Sequence, residues 1–146
     1  MIDMKKILII HGPNLNMLSV RDVHLYGEQT LEDINGALLQ RAQQLDVLVD
    51  CFQSNTEGDI IDQIHRVKDE YDGLIINAGA YTHYSYAIAD AIDCVRKPCV
   101  EVHMTNIYAR DAFRQKSVLA GVCVGTICGF GKNSYLLALD ALMNLL

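Results

Sequence analysis

Glu101 and His103, two positions apart in the β-branched run Val100-Glu101-Val102-His103, are residues of the right type and spacing to do chemistry together. In a strand, that spacing puts both side chains on one face. A carboxylate there can fix the imidazole tautomer and raise its basicity, the arrangement of a histidine that moves protons. The run leads through a polar turn with Thr105 and Asn106 to Arg110 and Arg114, so residues 98–114 combine an acid–base pair, polar groups and two cations. A parallel strand buried on both faces should read as continuous apolar residues. Taken alone, therefore, this run fits a solvated edge strand with an incidental histidine equally well.

The elements that must position this stretch are legible in the hydrophobic pattern. An Ile-Leu-Ile-Ile run predicts a buried strand over 5–10. Leu31, Ile34, Leu38 and Leu45 share one face of a helix over 31–45, with Thr30 and Asp33 suited to a capping box. Further strands are expected over 47–52, 74–77, 100–103 and 121–127. Helices are expected over 57–69, 84–95, about 111–116 and 133–146. Five strands alternating with helices predict an α/β fold: a three-layer sandwich on a five-stranded parallel sheet with right-handed crossovers. The flavodoxin-like strand order is the common solution for five such units. Residues 1–146 are long enough for one domain with a proper core, and contain no repeats or linkers.

One connection breaks the pattern. About twenty residues, HGPNLNMLSVRDVHLYGEQT, separate the first strand from the first helix, where such loops usually take roughly two to six. Pro13, Asn14, Asn16, Arg21 and Tyr26 within it can act on a ligand, so residues 15–28 are expected to form a lid. In parallel sheets, ligands bind outside the carboxyl ends of the strands. Those ends here carry His11-Gly12-Pro13-Asn14, Asn77-Ala78-Gly79 followed by Thr82 and His83, and His103-Met104-Thr105.

Other readings are excluded or weakened. A net charge of −6 disfavours nucleic acid or an anionic membrane as partner, so an anionic ligand needs local cations. The N-terminal apolar run is too short for a signal peptide or membrane span. Five cysteines with no C-x-x-C pair suggest neither a disulfide framework nor a metal site, and fit reduced thiols in the cytoplasm. GFGKNS departs from a phosphate loop at Thr126 and Asn133, and reads as a packing turn. His65, inside a helix, reads as structural.

The motifs GPNLN (12–16), Arg21 five residues before Tyr26-Gly27, SNTEG (54–58), NAGAYTH (77–83), EVHMTN (101–106), the Arg110/Arg114 pair and GFGKNSYLLAL (129–139) together resemble the type II 3-dehydroquinate dehydratases. Their order and spacing cover nearly the whole chain. The resemblance implies a flavodoxin-like fold, no cofactor, and usually a homododecamer built from trimers. The implied reaction is an anti elimination of water from 3-dehydroquinate through an enolate, giving 3-dehydroshikimate in the shikimate pathway.

In that resemblance Tyr26 matches the base that takes the C2 proton. A free tyrosine has a pKa of about 10 and is about 0.1% phenolate at neutral pH. A guanidinium at about 4 Å, at an effective dielectric near 20, offers about 4 kcal/mol and up to roughly three units of lowering. Arg21 is the matching cation, with Arg110 as a second contributor. Asn14 matches the holder of a water against the enolate oxygen. His103, oriented by Glu101, matches the acid that protonates the leaving C1 hydroxyl. Met104 and Thr105 match the carboxylate site; Asn77, His83 and Arg114 match groups that bind ring hydroxyls. Asp90 matches a residue that completes a neighbouring subunit's pocket.

The chain departs from the family pattern at Ser19, Asp22 and Val23 in the lid, at Tyr84, Tyr86 and Ala89, and at Gly121. Two rivals remain at this stage: an inactive flavodoxin-like binding protein, and a lyase acting on another cyclic hydroxy acid. The apolar residues around most of the last helix predict burial on more than one side, hence self-association. No lysine lies at the strand ends named above, which disfavours a Schiff base.

Overall fold

The computed structural model describes residues 3–20 and 23–146, with Tyr26 described by its backbone alone. Five strands, β1 (Lys6–His11), β2 (Leu48–Gln53), β3 (Gly73–Asn77), β4 (Cys99–His103) and β5 (Gly125–Cys128), form one parallel sheet in the order β2-β1-β3-β4-β5. This is the flavodoxin-like order. The helices are α1 (Val23–Tyr26), α2 (Leu31–Gln44), α3 (Glu57–Glu70), α4 (Tyr86–Val95) and α5 (Lys132–Met143).

The two faces of the sheet follow from the period of two along each strand. Ile7 and Ile9 of β1 pack with Ile34 and Leu38 of α2 and with Leu139 and Leu142 of α5. Leu8 and Ile10 turn the other way, against Ile60 and Ile64 of α3 and Ile88 and Ile92 of α4. Each such buried side chain contributes about 1.5–3 kcal/mol relative to exposure. The two apolar layers are therefore what hold the strand ends in register. α2 begins at the expected capping box: Thr30 Oγ1 accepts from Asp33 N at 3.1 Å and Asp33 Oδ2 accepts from Thr30 N at 3.0 Å.

Several expectations change. β4 is an interior strand, paired with both β3 and β5 and buried throughout, so the edge-strand reading falls. β5 starts at Gly125 and not at 121, because residues 120–122 form a 3-10 turn and the chain rejoins the sheet only where Val124 N donates to Cys99 O. The short helix expected near 111–116 is the 3-10 turn Ala112–Gln115. α4 starts two residues late, after the turn Gly79–His83, with Ser85 Oγ accepting from Ile88 N as its cap. The long first connection is not structureless. It contains the 3-10 segment Leu15–Val20, whose Leu15 and Leu18 are buried in the core, and then α1.

Candidate active site

β1 and β3 diverge in their onward connections at the middle of the sheet, which opens a crevice at their carboxyl ends. The register sets His11 beside Asn77 and His103 beside Cys128, so the strand ends lie on one rim. The floor is tight. A Cβ on Gly12 would sit 2.5 Å from the Ala78 carbonyl carbon, so only glycine allows the β1 and β3 ends to approach. Gly12 N donates to Asn77 O at 2.7 Å there. Gly79 adopts φ +60 against Pro13, a conformation that also favours glycine.

A pocket of about 140 Å³ opens from this floor, lined by Pro13, Asn14, Leu15, Asn77, Gly79, Ala80, His83, His103, Met104, Thr105, Ile107, Arg110 and Arg114. A wider cleft of about 630 Å³ shares Met104, Thr105 and Arg110 with it and reaches Leu25–Gln29 and residues 129–133. The lining of the inner pocket holds two imidazoles, two guanidiniums and two amides, and no carboxylate among the described residues. That is a local cationic, donor-rich site in a chain of net charge −6, suited to an anionic ligand with several hydroxyls.

Glu101 lies at the back of the pocket, 0% exposed, and His103 is 7% exposed. Burying an unpaired carboxylate costs several kcal/mol, so the strand tolerates Glu101 only because both its oxygens accept hydrogen bonds. Oε2 accepts from His103 Nε2 at 2.5 Å and Oε1 accepts from Ser117 Oγ at 2.7 Å. With Nε2 engaged, Nδ1 is the nitrogen His103 has left for a ligand. His83 is fixed the other way round: its Nδ1 donates to Lys116 O at 2.8 Å, leaving Nε2 as an acceptor in the neutral ring.

Asn77 is held by a buried relay. Its Nδ2 donates to Tyr135 Oη at 2.9 Å, and its Oδ1 accepts from Gly79 N at 3.2 Å. Tyr135 Oη pairs with His11 Nδ1 at 3.1 Å, and His11 Nε2 pairs with Asn35 Oδ1 at 2.8 Å. A neutral His11 that accepts at Nδ1 and donates at Nε2 satisfies every member. Burial pulls its pKa down to about 4, partly opposed by the Asn35 bond. Burial likewise pushes the Tyr135 phenol up. His11 is therefore part of the floor and not a ligand-facing histidine.

Asn14 has φ +69, a left-handed conformation that asparagine tolerates. Its backbone N donates to Asn55 Oδ1 at 3.0 Å, while Asn55 O accepts from Tyr81 Oη at 3.0 Å. The turn before α5 buttresses the opposite wall. Gly129 N and Gly131 N donate to His103 O and Met104 O, and Phe130 N donates to Ser134 Oγ. Arg114 stacks over Phe113 at 4.6 Å and has its Nε 3.8 Å from Asp111 Oδ2.

The structure thus gathers Asn14, Asn77, His83, His103, Met104, Thr105, Arg110 and Arg114 around one pocket with Glu101 behind it. It does not bring Asp90 there: that residue is exposed on α4. Arg21 and the side chain of Tyr26 lie outside the described residues. His65 is exposed on α3, away from the site. Lys132 lines the outer cleft, although no lysine lines the inner pocket among the described residues. Sequence reasoning missed Ser117, Asn55 and the Tyr135–His11 pair. The five cysteines are free thiols, with Cys99 and Cys123 sulfurs 3.7 Å apart. Among the described residues, no group of three or more His, Cys, Asp or Glu could hold a metal, and no helix is long and apolar enough to cross a membrane.

Comparison with known proteins points one way. The family model described as Dehydroquinase class II matches residues 5–143. A 3-dehydroquinate dehydratase of Bacillus cereus (strain AH187) is 54% identical over 140 residues, covering 96% of each chain. The crystal structure of type II dehydroquinase from Butyrivibrio crossotus DSM 2876 superposes with a TM-score of 0.93 at 43% identity, covering 95% of this chain and 97% of that one. That of type II dehydroquinase from Propionibacterium acnes gives 0.92 at 38% identity, covering 96% and 97%.

Proposed function

The chain belongs to the class II dehydroquinase family, and from that premise we propose how its own residues carry the reaction. It is a 3-dehydroquinate dehydratase, a hydro-lyase of the shikimate pathway. The observation that carries the residue assignment is the buried Glu101–His103 pair, whose free Nδ1 belongs to a residue lining a pocket of amides and cations.

In this reading Tyr26, as phenolate beside Arg21, takes a proton from C2 of 3-dehydroquinate. The electron pair moves onto the C3 carbonyl oxygen as an enolate. Asn14 holds a water against that oxygen, an oxyanion-hole role. When the enolate collapses, the C1–O bond breaks, and His103 gives its proton to the departing hydroxyl, which leaves as water. The new C1–C2 double bond is conjugated with the C3 carbonyl. Glu101 stabilises the charged imidazole before the transfer and holds the ring in place. The Met104–Thr105 turn takes the substrate carboxylate, while Asn77, His83 and Arg114 take the ring hydroxyls. His83, with Nδ1 tied to Lys116 O, would accept from a hydroxyl through Nε2.

The proposed lid over 15–28 is anchored at its start, where Leu15 and Leu18 are buried in the core. We further propose that the enzyme is a cytoplasmic homo-oligomer, in line with its free thiols, and that Asp90 serves a neighbouring pocket. The test is an absorbance assay for the conjugated enone with purified protein and 3-dehydroquinate. Enone should appear without added cofactor. A chain that binds the substrate without forming it would be a binding protein, and one that turns over only another hydroxy acid would be a different lyase.

A further inference from the structure

The three residues that follow Gln115 each bond to a different part of the site. Lys116 O accepts from His83 Nδ1 at 2.8 Å, Ser117 Oγ donates to Glu101 Oε1 at 2.7 Å, and Val118 N donates to Thr82 O at 2.9 Å. Ser117 is the member with a directed proton. Its oxygen accepts two backbone bonds from the turn it opens, from Leu119 N at 3.1 Å and Ala120 N at 3.0 Å. A hydroxyl has one proton and two lone pairs. With both lone pairs taken by the turn, the proton goes to the carboxylate.

We propose that Ser117 is a positioning residue for the acid step, acting through Glu101 on His103. A carboxylate can rotate about its terminal bond, a broad and soft torsion. Ser117 fixes Oε1, and Oε2 is then directed at His103 Nε2, which turns Nδ1 to the ligand. Glu101 is fully buried and Ser117 half-buried, so losing this bond leaves a buried carboxylate oxygen without its protein donor. The proposal rests on the assignment of His103 as the acid, and goes beyond it by naming the group that orients the orienting carboxylate.

The test compares Ser117→Ala, Ser117→Cys and Ser117→Thr, each alone and combined with His103→Ala. Two rates are read with saturating 3-dehydroquinate: enone formation, and deuterium uptake at C2 from deuterated water. Ser117→Ala should lower kcat for enone formation about ten- to hundredfold, the range expected for a lost bond to a charged group. C2 exchange and KM should stay within about threefold of wild type, since neither uses the acid. In the His103→Ala background the same change should cost nothing further, because the residue it acts through is gone. Ser117→Thr keeps the hydroxyl and should restore turnover.

Should Ser117→Ala not fold, as judged by circular dichroism, Ser117→Cys carries the test. It keeps the volume but offers only a weak S–H donor, and should show the same selective loss. Equal loss of exchange and dehydration, an additive loss on top of His103→Ala, or undiminished turnover would each overturn the proposal. If His103→Ala itself loses exchange and dehydration together, the acid assignment falls, and the role of Ser117 with it. If His103→Ala separates the two rates and the Ser117 variants do not, the role of Ser117 falls alone.

Discussion

Within β4, the same strand geometry that puts Glu101 and His103 on one face also decides which ring nitrogen is left for the substrate. The carboxylate engages Nε2, so the proposed proton delivery falls to Nδ1, and the imidazolium that this proposal requires would have a buried counter-charge. The base side is assigned by family pattern, since Arg21 and the Tyr26 side chain lie outside the described residues. Its physical requirement is nevertheless firm: a phenol needs help to ionise near neutral pH. Arg21→Ala should therefore move the rising limb of the pH–rate profile upward, by up to about three units if the full 4 kcal/mol at roughly 4 Å is lost. Turnover should fall less than for Tyr26→Phe, because the tyrosine remains. An unmoved limb would remove Arg21 from the role.

Between elements, the relay from Asn77 in β3 through Tyr135 in α5 to His11 in β1 and Asn35 in α2 ties the pocket floor to both the sheet and one helical layer. His11 must stay neutral for this relay to close. Its pKa near 4 lies below the 6.5 of a free histidine, so between those values the unfolded chain binds the extra proton. Its contribution to stability is complete above about pH 6.5 and is lost as pH falls toward 4, amounting to about 3 kcal/mol. The ring resonances of His11 should remain those of a neutral imidazole down to about pH 5, with urea midpoints falling below pH 6.5; a ring titrating near 6.5 would contradict the relay. Such relays are not legible in sequence, because His11 and Tyr135 are 124 residues apart and no local pattern links one to the other. What was legible had a local cause: the capping box at Thr30, the alternation of β1, and the same-face pair in β4. Ser117 escaped notice because one serine in a polar segment has no pattern to mark it. The strand expected over 121–127 begins only at Gly125, because periodicity alone cannot register the 3-10 turn at Ala120–Val122 that delays β5.

Over the whole molecule, α5 buries one stripe through Tyr135, Ala138, Leu139 and Leu142, while Leu137 and Leu145 stay exposed along with Tyr84 and Tyr86. These exposed apolar groups, with Asp90 on the outer side of α4, support the proposed self-association. Mixing Asp90→Ala with Tyr26→Phe subunits after dissociation and reassembly tests it. If Asp90 completes a neighbour's pocket, some mixed pockets carry neither defect, and activity should exceed the sum of the parents; mixed assemblies no more active than that sum would confine Asp90 to its own subunit or remove it from the site. The proposed mechanism divides the labour between a base that makes the enolate and a separate acid that expels the hydroxyl. The most direct test measures deuterium uptake at C2 and enone formation side by side for Tyr26→Phe and His103→Ala. Tyr26→Phe should lose both, with substrate affinity largely retained, and His103→Ala should lose enone formation while C2 exchange persists. Exchange that survives without Tyr26, or disappears in step with dehydration when His103 is removed, would contradict it.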